Sequence, residues 1–587
     1  LWVPEVEKWV PIFFGPPDWR TPRWAADFLY DVRMGAELAE DAARAHELRA
    51  RYHRVVELSG IAPVADDLGF HYAGPAAQLL GEANAVSGLI AGQREDGSWR
   101  FRARVETGGV FKGRDYGELG PDNAAEVGTC ARNAWRLLRF ARMTGDARAR
   151  VAGLRALGFM ERFEVPRAAQ VWEVPVHTPD ILASADACEA YLEGYLLTGD
   201  RRYLDRAVYW AWTGLPFVYM WDVTGFEFLE YATIPVFGAT WYTGSWFGRP
   251  VQWNGLVYAR ALLQLADYDD SLDWRTVAEG ITVSAMYQQY TDPEKQALWP
   301  DSISAIDRSD SGANFAPRQI LRNVYELMGM QPAPVTVVAE TADGPVLVSA
   351  AGDLGAARLS EGTLHCEVSY QPPQTGFALM CNLSRPEAVL VNGAPAAEVD
   401  SPADAPAPCW RYLDGEAMLE LRLDGAGRHE IELVGVVRRA SELGARTATE
   451  LRFDFDRDPE GWRASHDLDV LRVADGALQT RTTGPDPYLV RPNCRIDAAQ
   501  VSAVRIRMAL EPGMREGAQL FWTTADDPGL DEAKSLHFRA VADGEFQELM
   551  VPVGEHARWA GTITTLRLDP TGGEPFGRVQ VDFIRGE

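Results

Sequence analysis

Between about residue 20 and residue 330, apolar positions recur at i, i+3, i+4 and i+7, the repeat of a helix that buries one stripe. AADFLYDVRMGAELAEDAARAHELRARYHRVVEL and DACEAYLEGYLLTGDRRYLDRAVYWAW carry it most plainly. After Gly329 the texture changes to short alternating runs such as TLHCEVSYQ and GFALMCNL, punctuated by Gly, Asp, Asn and Pro. That pattern predicts an antiparallel β-sandwich. RRASELGARTATE reads as a linker, and a second alternating region follows it to the C-terminus. The predicted division is a helical domain over 1–330, a sandwich over 331–437, a linker over 438–450 and a second sandwich over 451–587.

The helical part echoes itself. RFARMTGDARARVAGLRAL (139–157) and GYLLTGDRRYLDRAVYWAW (194–212) share a helix end, the triplet Thr-Gly-Asp, and an Arg-rich helix start. Gly ends one helix in a left-handed cap and Asp caps the next. The triplets stand 54 residues apart, one helical hairpin and its return loop, and a third copy, QLADYDDSLDWRTVAEGITVSAMY, begins near 264. Hairpins of this kind bury their faces only against neighbours, in either an open solenoid or a closed ring. A stretch of about 310 residues holds roughly twelve helices at ordinary loop lengths, the count for a closed ring of six. The predicted fold class is therefore multidomain α + β: an (α/α)6 helical-hairpin toroid followed by two antiparallel β-sandwich domains.

Charge narrows the partners. A net charge of −27 and a pI near 4.8 exclude nucleic acid and an anionic membrane surface as main partners, since no Lys/Arg run relieves the repulsion. No apolar run approaches the ~20 residues of a membrane-spanning helix. The chain starts at Leu1 without a signal-like segment, so a removed leader or upstream domain is expected, and a secreted or periplasmic location with the former. The six cysteines are scattered without CxxC or a Cys/His cluster, which argues against structural zinc. Cys366 and Cys381 are expected either to pair across neighbouring strands or to be buried as free thiols.

Six of the twenty residues of FGATWYTGSWFGRPVQWNGL (237–256) are aromatic, interleaved with Gly, Thr, Ser, Arg, Gln and Asn. Ring faces among amides, hydroxyls and a guanidinium suit a sugar, whose faces are weakly apolar and whose edges are hydroxyls. Trp241, Trp246 and Trp253 are the expected stacking platforms, with Arg249, Gln252 and Asn254 as polar readers. The Arg fork favours a uronic acid. Preceding this stretch, MWDVTGFEFLEYATIPV holds Asp222, Glu227 and Glu230, and VWEVPVHTPDILASADACEAY gathers Glu173, His177, Asp180 and Asp186. Two further loops, VADDLGFHYAGPAAQLL with Asp67 and GELGPDNAAEVGT with Asp122 and Glu126, have acids at helix starts. In a ring of hairpins such loops converge on one mouth. P-loop, HExxH and nucleophile-elbow patterns are missing from the sequence.

DDLGF resembles the His-Asp-(Ile/Leu)-Gly-Phe stretch of unsaturated glucuronyl hydrolases, six-hairpin enzymes in which that Asp works in the site. Asp67 falls on the family's Asp, and Asp66 stands where the family has His. The same resemblance implies a catalytic acid at the start of the helix that ends in Thr-Gly-Asp, a place taken by Asp122 or, one turn on, Glu126. Across a sugar, two such carboxyls divide the work of general acid and base. GQREDGSWRF (92–101) resembles the Gln-Trp motif of terpene cyclases and is read as a hairpin cap. The order FDFD…GW, DGAL, DPYL, RIRMAL, QLFWTT, DGEFQELMVPV, LRLDPTGG and VQVDFI resembles the carbohydrate-binding jelly rolls attached to bacterial glycoside hydrolases and polysaccharide lyases. There Asp454, Asp456 and Asp569 are turn residues, with a structural calcium as the alternative.

The leading functional expectation is a glycoside hydrolase that needs no cofactor, uses Asp67, Asp122 or Glu126, and takes a carbohydrate as its partner. The alternative is a polysaccharide lyase. It removes the C5 proton of a uronate with His177 or Tyr242, while Arg249 and Asn254 bind the substrate. A third reading is a non-catalytic glycan-binding protein. Oligomeric state stays open.

Overall fold

The computed structural model describes residues 2–3, 8–9, 35–36, 39–59, 70, 74–105, 113–172, 174–238, 240, 244–292, 298–311, 314–315, 318–330, 333–370, 376–441, 443, 451–455, 459–469, 471–524, 527 and 529–587. Asp67, Glu173, Trp241, Tyr242 and Asp456 lie outside the described residues, as does most of the expected linker.

Nine helices of ten or more residues occur among the described residues: α1 Ala42–Ser59, α2 Pro75–Gly92, α3 Val127–Thr144, α4 Ala147–Met160, α5 Ile181–Thr198, α6 Arg201–Gly214, α7 Gln252–Leu265, α8 Trp274–Tyr287 and α9 Arg318–Leu327. The Thr-Gly-Asp triplets act as the sequence implies. Gly145 and Gly199 adopt φ of 74° and 70°, conformations glycine takes without a Cβ penalty. The Asp146 carboxylate accepts the N–H groups of Arg148 and Ala149 at 2.9 Å, and Asp200 accepts that of Arg202 at 3.0 Å. At the third hairpin Asp273 caps α8 through Thr276 N at 3.0 Å. The 92–101 stretch is a cap as well: Gln93 Nε2 donates to Gly97 O and Ala152 O at 3.0 and 2.9 Å, and Trp99 Nε1 to Leu89 O at 3.1 Å.

The helices share a core built from small and aromatic residues, Ala131, Ala134, Ala187, Tyr191, Trp210, Tyr258 and Trp274 among them. Small residues on α3 and α5 let the backbones approach closely, and the large rings of α5, α6, α7 and α8 fill the space between the helices.

Two six-stranded antiparallel-rich sheets follow, the first built from β1 Val335–Ala339, β2 Val346–Ala350, β4 Gly376–Cys381, β6 Cys409–Leu413, β7 Met418–Leu423 and the short strand Ala397–Glu398, the second around β3 Thr363–Tyr370, β5 Ala388–Val391 and β8 Gly427–Val434. Cys366 lies on β3 and Cys381 on β4, in different sheets, and all six cysteines are free and buried. The pairing alternative is thereby corrected, because the two cysteines lie on strands of different sheets and not on neighbouring ones.

Residues 451–587 form another pair of antiparallel sheets around Phe455, Ile506, Leu520, Trp522 and Ile584. Of the Asp-rich turns, Asp454 meets Arg452 at 2.7 Å and Arg585 at 2.6 Å, and Asp569 meets Arg567 at 2.6 Å. Both carboxylates thus answer arginines.

Helices and first sandwich share one apolar seam of Phe70, Leu79, Leu137, Phe140, Leu347, Leu379 and Met418. Polar groups close it. Glu420 of β7, 1% exposed, accepts the N–H of Ala76 in the first turn of α2 at 3.0 Å. Asn382 Nδ2 donates to Thr144 O at the end of α3 at 3.2 Å. Among the described residues no helix is long and apolar enough to cross a membrane.

Candidate functional site

The N-terminal ends of α3, α5 and α7 lie on one side, tied to the loops that cross it. Gly128 N donates to Arg167 O at 2.8 Å, Ile181 N to Pro235 O at 3.0 Å and Val251 N to Thr233 O at 2.8 Å. Gly128 is required there: a Cβ at this position would stand 2.3 Å from Ala169 N. Its absence lets the 167–169 backbone lie against the first turn of α3 and sets Arg167 beside Glu126.

Glu126 occupies the N-cap of α3 in extended conformation. Its Oε1 lies 2.8 Å from His177 Nδ1 and 3.8 Å from Arg167 Nη1. The carboxyl side chain is 9% exposed and the imidazole 60% exposed, so the pair runs from the protein interior to solvent. A carboxylate at a helix N-terminus also sits in the favourable end of the peptide dipoles. Sequence reading named Glu126 and His177 separately; Arg167 was missed, and nothing local marks it.

Asp122 is exposed and holds its own loop, accepting Ala103 N at 3.0 Å and Asn123 Nδ2 at 2.7 Å. Asp180, expected to meet substrate, is fully buried. Its two oxygens accept Ala183 N at 2.8 Å and Ala169 N at 3.1 Å, which makes it the N-cap of α5. Burial pushes it up to about 7, against the pull of those backbone N–H groups.

A second group of side chains gathers at the start of α7. Trp253 stacks on Trp172 with centroids 6.4 Å apart, and its Nε1 donates to Asp301 Oδ1 at 2.9 Å. Burial raises the Asp301 carboxyl, and the indole N–H lowers it in part. Gln252 Nε2 donates to Pro300 O at 2.6 Å. Arg249, half-buried, reaches Ser302 Oγ and Ser309 Oγ at 3.2 Å each. Trp172, Asp301 and Ser302 had no signal in the sequence beyond polar loop composition. Trp246 is 2% exposed and packs with Val174, Val236 and Val251, so it is core, not a platform. Asn254 is fully buried, and among the described residues neither of its amide atoms is hydrogen-bonded. Glu230 is exposed in a turn.

Farther along α5, acids stand at 186, 189 and 193, on one helical face. Asp186, mostly buried, is pushed up to about 6 by burial, moderated by Arg132. Glu189 is 3.2 Å from Arg132 and 3.6 Å from Arg260, and Glu193 pairs with Arg142 at 2.7 Å.

No family model and no curated protein matches this sequence. Solved structures do align in part. The unsaturated glucuronyl hydrolase of Bacillus sp. GL1 aligns at 13% identity over 53% of this chain and 86% of its own, with a TM-score of 0.34. A low-affinity xylan binding module from Roseburia intestinalis aligns at 16% identity over 24% of this chain and 96% of its own, TM-score 0.18. The cycloalternan-forming enzyme of Listeria monocytogenes aligns at 11% identity over 43% of this chain, TM-score 0.15. This chain spans 22% of that enzyme's length and 54% of that of a heparin-specific unsaturated glucuronyl hydrolase.

The chemistry available at the starts of α3 and α7 follows from the chain's own side chains. A shielded carboxyl hydrogen-bonded to a solvent-facing imidazole moves protons, a guanidinium held by two hydroxyls binds carboxylate or hydroxyl oxygens, and a half-buried indole pair offers an apolar edge.

Proposed function

We propose that this protein is a glycoside hydrolase whose working carboxyl is Glu126, positioned by His177 and Arg167. The observation that carries the reading is the 2.8 Å contact between the shielded Glu126 carboxyl and the exposed His177 ring. Arg249 and Trp253, both half-buried, support a bound sugar, whereas Gln252 is buried and spends its amide on Pro300 O. In the reaction Glu126 gives its proton to the glycosidic oxygen as the C–O bond breaks. A second carboxylate, Asp67 or Asp122, takes a proton from the water whose oxygen attacks the sugar carbon. This chemistry asks for no cofactor.

The wider assignment goes with it. The alternation of α3, α5 and α7 with α4, α6 and α8 supports an (α/α)6 toroid over 1–330, with sandwiches over 331–437 and 451–587, the latter a carbohydrate-binding jelly roll. An exported location suits a polymer-degrading enzyme; cell fractionation tests it.

One observation favours a second reading. His177 Nδ1 is engaged by Glu126, while Nε2 makes no hydrogen bond among the described residues. A ring so oriented suits abstraction of a C5 proton, with Arg249 neutralising the neighbouring carboxylate, as in a lyase. Incubation with neutral and uronate glycans, following reducing ends and ultraviolet absorbance together, separates the two. Reducing ends without absorbance support hydrolysis; an absorbing C4=C5 product transfers the assignment to the lyase, and neither signal rejects both.

A further inference from the structure

Five apolar side chains stand out of the surface where the loops after α6 and before α7 meet: Met220, Trp221, Val223, Phe247 and Ile306, between 45% and 83% exposed. Two of them are backed by rings. Phe217, buried in the helical core, stacks on Phe237 at 4.4 Å, and Phe237 meets Phe247 at 5.9 Å. The last ring of this column is 56% exposed. Trp221, also 56% exposed, stands edge-on against Tyr219 at 5.2 Å. The two supports are joined, because Tyr219 Oη accepts Gly248 N at 2.7 Å. Ile306 completes the rim through its neighbour, Ala305 N donating to Gly248 O at 2.7 Å.

Exposed rings on such a backing are pre-ordered, so a ligand that stacks on them loses little freedom. The surroundings decide what ligand. Arg249 follows Phe247 by two residues and is held by Ser302 and Ser309, and Arg308 covers Phe226 at 5.2 Å. Ring faces spaced among guanidinium and hydroxyl groups fit sugar units, with C–H faces on the rings and hydroxyls to the polar groups. A protein partner calls for a continuous apolar centre with polar groups confined to the rim.

We infer that Trp221 and Phe247 form a remote platform that binds further sugar units of the same glycan held at Arg249 and Trp253, so that chain length is read there. The inference rests on the glycoside-hydrolase reading and adds that the substrate is an oligomer extending past the reacting bond.

The test uses the full chain carrying Glu126→Gln, to suppress turnover, with and without Trp221→Ala plus Phe247→Ala. Xylo-, cello- and glucuronate-containing oligosaccharides, disaccharide through hexasaccharide, are titrated calorimetrically, while turnover is followed in the unsubstituted chain. The expected result is affinity that rises with length in the parent, and a double variant that loses about tenfold on the hexasaccharide and binds it no better than the disaccharide. A length advantage that survives the double substitution, or no length advantage in the parent, overturns the platform while turnover by the unsubstituted chain leaves the hydrolase reading standing. No binding and no cleavage of any member overturns both.

Discussion

Arg142 and Glu193 meet as a two-pronged ion pair inside the helical region. Nε–Oε2 is 2.7 Å and Nη2–Oε1 is 2.9 Å, and both side chains are under one-tenth exposed. Arg142 also donates to Thr336 Oγ1 at 2.9 Å, so one guanidinium ties α3, α5 and the first strand of the sandwich. Glu193→Leu strands that charge in the interior. The expected loss is about 3–5 kcal/mol in urea unfolding, with most of it recovered when Arg142→Met is added. If the double variant is as unstable as the single one, the pair is not the source of the cost.

Proton transfer at Glu126 gives the sharpest functional expectation. Glu126→Gln keeps the shape and an acceptor oxygen but cannot donate the acid proton, and activity is expected to fall by about 10²–10⁴. The circular dichroism spectrum and melting temperature should stay near those of the parent. Asp122→Asn, at a residue occupied with Ala103 N and Asn123, distinguishes a second working acid from a loop brace: comparable loss makes it the former.

Asp186 sets a pH expectation. Its folded-state value, about 6, lies above the ordinary carboxyl value of 3.8 because of burial. Between those values the folded chain keeps a proton that the unfolded chain has lost, so stability contributed below pH 4 disappears as pH rises to about 6. The size is about 3 kcal/mol, and above pH 6 the contribution is flat. Asp186→Asn should lessen the decline between pH 4 and 6, read from unfolding midpoints at stepped pH, and leave the share of Asp180, which is raised to about 7; a decline as steep as the parent's assigns the slope to other groups.

Close approach at Gly128 is the basis of a fourth expectation. Gly128→Ala forces the 167–169 backbone away, at a cost of about 1–3 kcal/mol, and withdraws Arg167 from Glu126. Melting temperature and activity should fall together, unlike Glu126→Gln, where activity falls alone. Unchanged activity in Gly128→Ala removes Arg167 from the working set.

Local chemistry explains which features the sequence disclosed. The Thr-Gly-Asp turns were legible because a left-handed Gly and an Asp cap are decided within four residues. The strands after Gly329 were legible because alternation is a property of adjacent positions. The role of Trp246 was not, since its burial depends on Val174, Val236 and Val251 from three other places. The same holds for Asp180, whose carboxylate looked free in sequence and is saturated by Ala169 and Ala183. Arg167 beside Glu126, and Asp301 beside Trp253, are contacts across 41 and 48 residues, beyond any spacing rule. Asp67 and Tyr242, the remaining two named catalytic positions, lie outside the described residues.

Glu420 and Asn382 finish helices that were made long before them, reaching back 344 and 238 residues to Ala76 and Thr144. On a ribosome that adds roughly 5–20 residues per second, those helix ends wait on the order of tens of seconds for their partners. During that interval the seam of Leu79, Leu137 and Phe140 is bare and sticky. The order of synthesis thus leaves the start of α2 the last to be satisfied, and a chain released before β7 keeps Asn382 for Thr144 but has no Glu420 for Ala76.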